Sequence, residues 1–269
     1  MIDDADLIVA TSWQTAECLG SDPRGLYLIQ HYEVWGGVQD RVDATWRLPL
    51  RKIVIAQWLR AKSEELGAGE VTLVPNAIDL GVFKMDVRPE DRSTDEVAML
   101  WHKEGWKGSS DGLEALRLVR ESRPNLHLTL FSTTKRPSEI PEWVTYVEKA
   151  SEKQLRSIYN RAAVFVSPSH SEGWGLPPAE AMACGAAVVS TEIGGTGDYA
   201  FHDVTAVLTP VQNPEAMARA ILELLDDDAR RVRIASEGHE WICTNCSWEL
   251  STDLFEQALL EDSDSQKGE

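Results

Sequence analysis

No stretch of this 269-residue chain approaches the eighteen or so consecutive apolar residues that a membrane-spanning helix requires. Positive charge is scarce as well. Lys and Arg number 26 against 44 Asp and Glu, a formal net charge of −18, which argues against nucleic acid or anionic lipid as a partner of the general surface. The start, Met1-Ile2-Asp3-Asp4-Ala5-Asp6, is acidic and lacks the basic region of a secretory signal, so the expected location is the cytoplasm, with its membrane face open as a peripheral site. Cysteine is limited to four residues. Cys243 and Cys246 form one C-x-x-C pair while Cys18 and Cys184 lie far off, a pattern that favours packing or incidental thiols over zinc. Asp226-Asp227-Asp228 holds an Asp-x-Asp pattern but reads as the solvated end of an amphipathic helix, and no metal site is expected. Internal repeats and low-complexity stretches are lacking too.

What is present is an alternation of short apolar runs with helical patterns, the mark of βαβ units and parallel sheets. Leu7 to Ala10, Leu26 to Ile29, Ile53 to Ala56 and Val71 to Val74 read as strands, with helices at Thr15 to Leu19 and Gln57 to Leu66. Val74-Pro75-Asn76-Ala77-Ile78-Asp79 interrupts the pattern and marks a domain boundary. A second series follows: strands at Val97 to Trp101, Leu126 to Phe131, Trp143 to Val147, Val164 to Ser167 and Ala187 to Ser190, and helices at Asp111 to Glu121, Glu152 to Asn160 and Pro214 to Leu225. The expected division is a first domain over 1–80, a second over 81–245, a helix within 246–262 and an acidic tail at 263–269.

The most informative segment runs from Ser171 to Gly185. Glu172 and Glu180 stand with seven residues between them, around a glycine-bearing turn and the helix start Pro177-Pro178. Proline suits a first helical turn, where its missing N–H has no partner to lose, and Gly185 is free to end the helix at positive φ. Glu180 is then expected in the first turn, with Glu172 in the loop ahead of it. A helix N-terminus attracts phosphate and carboxylates accept hydrogen bonds from hydroxyls. A ligand bearing both phosphates and sugar hydroxyls, such as a nucleotide sugar, satisfies both. Lys107, in a glycine-flanked loop after a strand, is the best-placed cation for a departing diphosphate, the alternative being a solvated loop lysine.

The segment closely resembles the E-x7-E signature of retaining, family-4-type glycosyltransferases (glycosyl transferases group 1) of the GT-B fold. Val74-Pro75-Asn76-Ala77-Ile78-Asp79 is similar to that family's interdomain V-P-N-G-I-D, with Ala77 in place of glycine, and Trp101-His102-x4-Lys107-Gly108 lies where the family has G-R-x4-K-G. The resemblance implies an α/β chain of two Rossmann-like domains with parallel sheets, the first incomplete because it begins partway through. The final helix would pack back on that first domain, whose uncovered edge could take a partner chain or a second copy.

The resemblance also implies roles. Glu172 would contact hydroxyls of the transferred sugar, Lys107 the diphosphate, and Glu180 the ribose hydroxyls. His102 takes the family's arginine position and stays open between a phosphate contact and a structural residue; Lys103 could substitute, though it would point to the other strand face. Gly173, Gly194 and Gly195 would let backbone approach the donor, Thr196 could add a hydroxyl donor, and Ser132 ends a strand near the nucleotide. His31 matches a histidine that faces the donor sugar from the first domain, and Trp35 and Trp174 read as packing residues before stacking ones. The implied reaction moves a sugar from a nucleoside-diphosphate donor to a glycan or lipid-linked acceptor with retention, without a metal or other cofactor. The rival readings are a nucleotide-sugar-binding module that needs a partner chain and a nucleotide-sugar epimerase.

Overall fold

A computed structural model describes residues 5–260; the acidic tail expected at 263–269 lies outside the described residues. The chain divides into two units, Met1–Ala77 with Trp248–Glu269, and Ile78–Ser247.

The first unit holds a parallel four-stranded sheet in the order β1-β2-β3-β4, with β1 Ile8–Ala10, β2 Gly25–Ile29, β3 Arg51–Val54 and β4 Thr72–Leu73. Helices α1 (Trp13–Leu19), α2 (Gln39–Trp46) and α3 (Gln57–Leu66) connect the strands, and α9 (Trp248–Leu260) completes the unit. Its core joins Leu26, Ile53 and Val74 to Ala258 of α9, flanked by Leu254 and Leu259. Ser251 Oγ donates to the Pro75 carbonyl at 2.7 Å. The start of α1 is set by a capping box in which the Ser12 and Thr15 side chains each accept the other's backbone N–H. The helix therefore begins at Trp13 rather than Thr15.

The second unit is a doubly wound α/β domain. Its six strands are β5 Glu96–Leu100, β6 His127–Ser132, β7 Thr145–Glu148, β8 Val164–Ser167, β9 Ala187–Thr191 and β10 Val207–Thr209. All pairings are parallel, in the order β10-β9-β8-β5-β6-β7. Helices α4 (Ser109–Ser122), α5 (Glu152–Arg161), α6 (Leu176–Ala183), α7 (Pro214–Asp226) and α8 (Asp228–Asn245) link the strands and flank the sheet. Because helices cover both faces, the central strands read as unbroken apolar runs: every residue of β8 and of β9 is buried. Leu113, Leu116 and Val119 of α4 and Met217, Ile221 and Leu224 of α7 recur at helical spacing and enter one core with Val97, Leu128, Val164 and Val189.

One expectation about this unit is extended and another corrected. Asp226-Asp227-Asp228 is the solvated end of α7, as its sequence suggests, and also a start that was not expected: Asp227 Oδ1 accepts the Arg230 N–H at 2.9 Å and so caps α8. Glu180 lies in the second turn of α6, because that helix starts at Leu176. Gly185 follows the end of α6 at φ +81°, as its position suggests. Arg92 is buried and donates to the carbonyls of Val87, Tyr159, Ala162 and Cys184, with no carboxylate partner among the described residues. Burial lowers its pKa to about 10, so it remains a cation at neutral pH.

Candidate functional site

The strand order of the second unit has one reversal. From β5 the chain winds outward through β6 to β7, then returns to the other side of β5 with β8 and winds outward through β9 to β10. Ligands of open α/β sheets bind outside the carboxyl ends of the strands at such a switch point. Here the reversal falls between β5 and β8. The loop that leaves β5 carries Lys107 and the loop that leaves β8 carries Glu172.

Those two side chains meet. Lys107 Nζ stands 2.8 Å from both carboxylate oxygens of Glu172, and Ser169 Oγ donates to Glu172 Oε1 at 2.8 Å. Both side chains are mostly buried, 18% and 12% exposed, so the attraction is screened less than that of a surface pair. The ammonium also lies 4.3 Å from the Trp106 ring centroid, a cation–π contact. Lys107 closes a 3-10 turn, Gly105–Lys107, directly ahead of α4, whose N-terminal dipole adds to its positive field. The pair lines a cavity of about 20 Å³ with Leu100, Ser167 and Pro177. A neighbouring cleft of about 430 Å³ is bordered by His102, Ser109, Thr134, Lys135 and His170.

Two fasteners set this geometry. His170 Nε2 lies 2.7 Å from Asp111 Oδ2, and the His170 N–H donates to the Trp106 carbonyl at 2.7 Å. These bonds tie the loop after β8 to the first turn of α4 and to the loop after β5. On the opposite side, a Cβ on Gly195 would sit 2.3 Å from the Glu172 carbonyl oxygen and 2.6 Å from its Cβ. Only glycine allows that approach. The side on which a Cβ would stand at Gly195 is thus filled by Glu172. Tyr199, wholly buried, donates to the Gly175 carbonyl at 2.6 Å and reaches that of Trp174 at 3.2 Å. It holds the turn whose Gly175 takes φ +90°.

Glu180 is held differently. Its Oε2 accepts from Tyr159 Oη at 2.8 Å. Burial pushes the Glu180 carboxyl above the ordinary carboxylate range; the Tyr159 hydrogen bond opposes that shift and the charge of Glu152 adds to it. The helix N-terminus ahead of Glu180 is a poorer phosphate site than its sequence suggests. With α6 starting at Leu176, Pro177 and Pro178 fall inside the first turn and remove two of its N–H donors.

Other candidates are occupied locally. His102 Nδ1 accepts the Glu104 N–H at 3.2 Å, which turns that nitrogen to its own loop. Lys103 points outward, 3.9 Å from Glu104. Ser132 is buried, with its hydroxyl 3.0 Å from that of Thr134 and accepting the Thr134 N–H at 3.1 Å. Thr196 is buried and donates to the Ile193 carbonyl at 3.4 Å. Gly194 opens the 3-10 turn Gly194–Thr196 and is exposed, whereas Gly173 is buried. Trp174 is buried against Tyr199, centroids 4.8 Å apart. His31 belongs to the first unit, where its ring lies 4.8 Å from Trp35 and 5.6 Å from Trp58. Trp35 is exposed.

The sequence reading missed Ser169, His170, Tyr159 and Tyr199. Ser169 and His170 adjoin the glutamate segment, but Tyr159 and Tyr199 stand 21 and 24 residues from their partners. Spacing carries no trace of such contacts. Among the described residues no cluster of His, Cys, Asp and Glu is arranged to hold a metal ion, and no helix is long and apolar enough to cross a membrane.

The family described as Glycosyl transferases group 1 matches residues 97–241, more than half of the chain. A glycogen synthase of Mycobacterium tuberculosis is 26% identical over 203 residues, 72% of this chain and 49% of that protein. A D-inositol 3-phosphate glycosyltransferase of Pseudarthrobacter chlorophenolicus is 29% identical over 182 residues, 60% of this chain and 43% of that protein. The matches thus span about half the length of these curated relatives. Among solved structures, sucrose-phosphate synthase from Thermosynechococcus elongatus superposes with a TM-score of 0.80 at 22% identity, covering 97% of this chain and 74% of that one. HepE of Anabaena, in complex with UDP-glucose, gives a TM-score of 0.78 at 17% identity, covering 97% and 79%. These likenesses establish the GT-B fold.

Proposed function

The chain belongs to the glycosyl transferases group 1 family, and on that footing we propose that it binds a nucleoside-diphosphate sugar and serves its transfer, with retention, to a glycan or lipid-linked acceptor. The observation that carries this reading is the Lys107–Glu172 pair at the switch point of the second sheet. In the proposed reaction the donor's diphosphate takes the Lys107 ammonium away from Glu172. The freed carboxylate then accepts from hydroxyls of the transferred sugar while Ser169 keeps its bond to Oε1. Glu180 accepts from the ribose hydroxyls. As the bond from the anomeric carbon to the diphosphate breaks, Lys107 and the α4 dipole stabilise the departing charge. The acceptor hydroxyl attacks from the same face and gives its proton to the departing diphosphate oxygen, and configuration is retained.

Lys107 supplies the positive charge that a metal would otherwise bring, so the proposed reaction needs none. The cytoplasm and its membrane face are the proposed place of action. The separate role that the resemblance implies for His31 is tested by His31→Ala.

A thermal-shift screen against UDP, GDP, ADP and TDP sugars, with Glu180→Ala as control, tests the donor site, since a ligand that binds only the folded state raises apparent stability. A shift with one nucleotide that vanishes in the variant supports the proposal and identifies the base. No shift with any donor in a folded protein removes it. Donor binding without transfer to any acceptor would favour the second reading, a nucleotide-sugar-binding module that works with a partner chain.

A further inference from the structure

We propose that Tyr159 is a positioning residue for the donor: its hydroxyl fixes Glu180 so that one carboxylate oxygen faces the ribose hydroxyls of a nucleoside diphosphate. The inference rests on the reading of Glu180 as the ribose anchor.

Tyr159 is wholly buried, and its ring is enclosed by Phe83, Phe131 and Phe165 at centroid distances of 5.9, 5.7 and 5.5 Å. Packing alone would be served by phenylalanine. A buried hydroxyl is costly unless it is bonded, and this one bonds to Glu180 Oε2 at 2.8 Å. A phenol has a single hydrogen to give, and the aromatic cage leaves it one direction. That bond occupies one acceptor site on Oε2 and sets the orientation of the carboxylate, whose Oε1 the tether does not engage. An untethered glutamate would lose rotamer freedom on binding, a cost the tether has already met in the free protein.

The backbone supports the same pair. Arg92 Nη1 donates to the Tyr159 carbonyl at 3.0 Å, and Nη2 of the same guanidinium bonds to the carbonyl of Cys184, the residue that caps α6. One buried cation thus pins the helix that carries the phenol to the end of the helix that carries the carboxylate.

Calorimetry with UDP, GDP and ADP beside their 2′,3′-dideoxy forms tests the inference. The wild type is expected to prefer the ribose form of the nucleotide it binds by about tenfold, the scale of one or two hydrogen bonds to a charged acceptor. Glu180→Ala should abolish the preference. Tyr159→Phe should cut it to about twofold while leaving affinity for the dideoxy form unchanged. A Tyr159→Phe protein that keeps the full preference, or weakens for both forms alike, overturns the proposal. A wild type indifferent to the hydroxyls, or a Glu180→Ala protein that still prefers ribose, overturns the reading of Glu180 and this inference with it. Should Tyr159→Phe prove unstable, Tyr159→Phe/Glu180→Leu, apolar on both sides, is compared with Glu180→Leu. Equal affinities support a tyrosine that acts through Glu180, and a further loss in the double variant overturns it.

Discussion

Glu172 and Glu180 end the same short segment and are held by opposite means. Glu172 faces a cation, Lys107, that the diphosphate would draw away in the proposed reaction, and its loop is braced by Ser169, Gly195 and the His170–Asp111 bond. Glu180 faces a neutral phenol locked in an aromatic cage, and burial makes its charge expensive. The first arrangement is exchangeable and the second is fixed. The difference suits the proposed donor, whose phosphate end carries the charge and whose ribose end carries only hydroxyls.

The comparison breaks most readily at Lys107. Lys107→Ala leaves Glu172 mostly buried without its cation, at the place the proposal gives to the donor's phosphates. Donor affinity should fall by about a hundredfold, since truncating one member of a hydrogen-bonded, desolvated pair costs about 2–5 kcal/mol. Titration calorimetry checks this, and a loss of less than about threefold would show that Lys107 does not meet the diphosphate.

Next in size is Tyr199→Phe, which strips the hydroxyl from the Gly175 and Trp174 carbonyls. Stability should drop by about 1–2 kcal/mol, read as a lower midpoint in urea at unchanged slope.

Glu180 sharpens the contrast through pH. Its pKa is raised in the folded state, chiefly by burial, so the folded protein holds its proton more tightly than the unfolded chain does. That contribution to stability is present below the ordinary value of 4.5 and is lost as pH rises through the raised pKa. Glu180→Gln should therefore melt above the wild type at neutral pH, and the gain should vanish as pH falls towards 4.5. Wild-type donor binding should weaken in the same acid window, where the acceptor carboxylate is neutralised. A melting difference that does not change with pH would contradict the assignment.

The smallest effect belongs to the side chains already engaged by their own turns. Ser132→Ala and Thr196→Val should each change donor affinity by less than about twofold, because each hydroxyl is already bonded within its own turn. A tenfold loss at either would enlarge the site.

The parallel architecture was legible because its strands are short apolar runs between clear helix starts. β8 is Val164–Ser167 and α3 is Gln57–Leu66, as the sequence pattern predicts. Three elements were not legible. α2 buries only Val42, Thr45 and Trp46 and has no side-chain cap. β10 spans only Val207–Thr209 and takes its definition from its neighbour β9. α8 follows α7 with no turn between them, so one acid run hides both an end and a start. At the site, Glu172, Glu180 and Lys107 could be named because a dense motif carries them. What orients them could not: Tyr159 and Tyr199 arrive from distant segments, and the hydroxyls of Ser132 and Thr196 turn inward for local reasons that composition does not encode.

The absence of a side chain at residue 195 has a genetic consequence. The room that a methyl group would need is filled by the backbone and Cβ of Glu172, so a codon change at 195 acts on the carboxylate without touching its own codon. The two positions are not independent alleles. Gly195→Ala would phenocopy loss of Glu172, the double variant would be scarcely worse than either single one, and a suppressor would have to shift one loop away from the other.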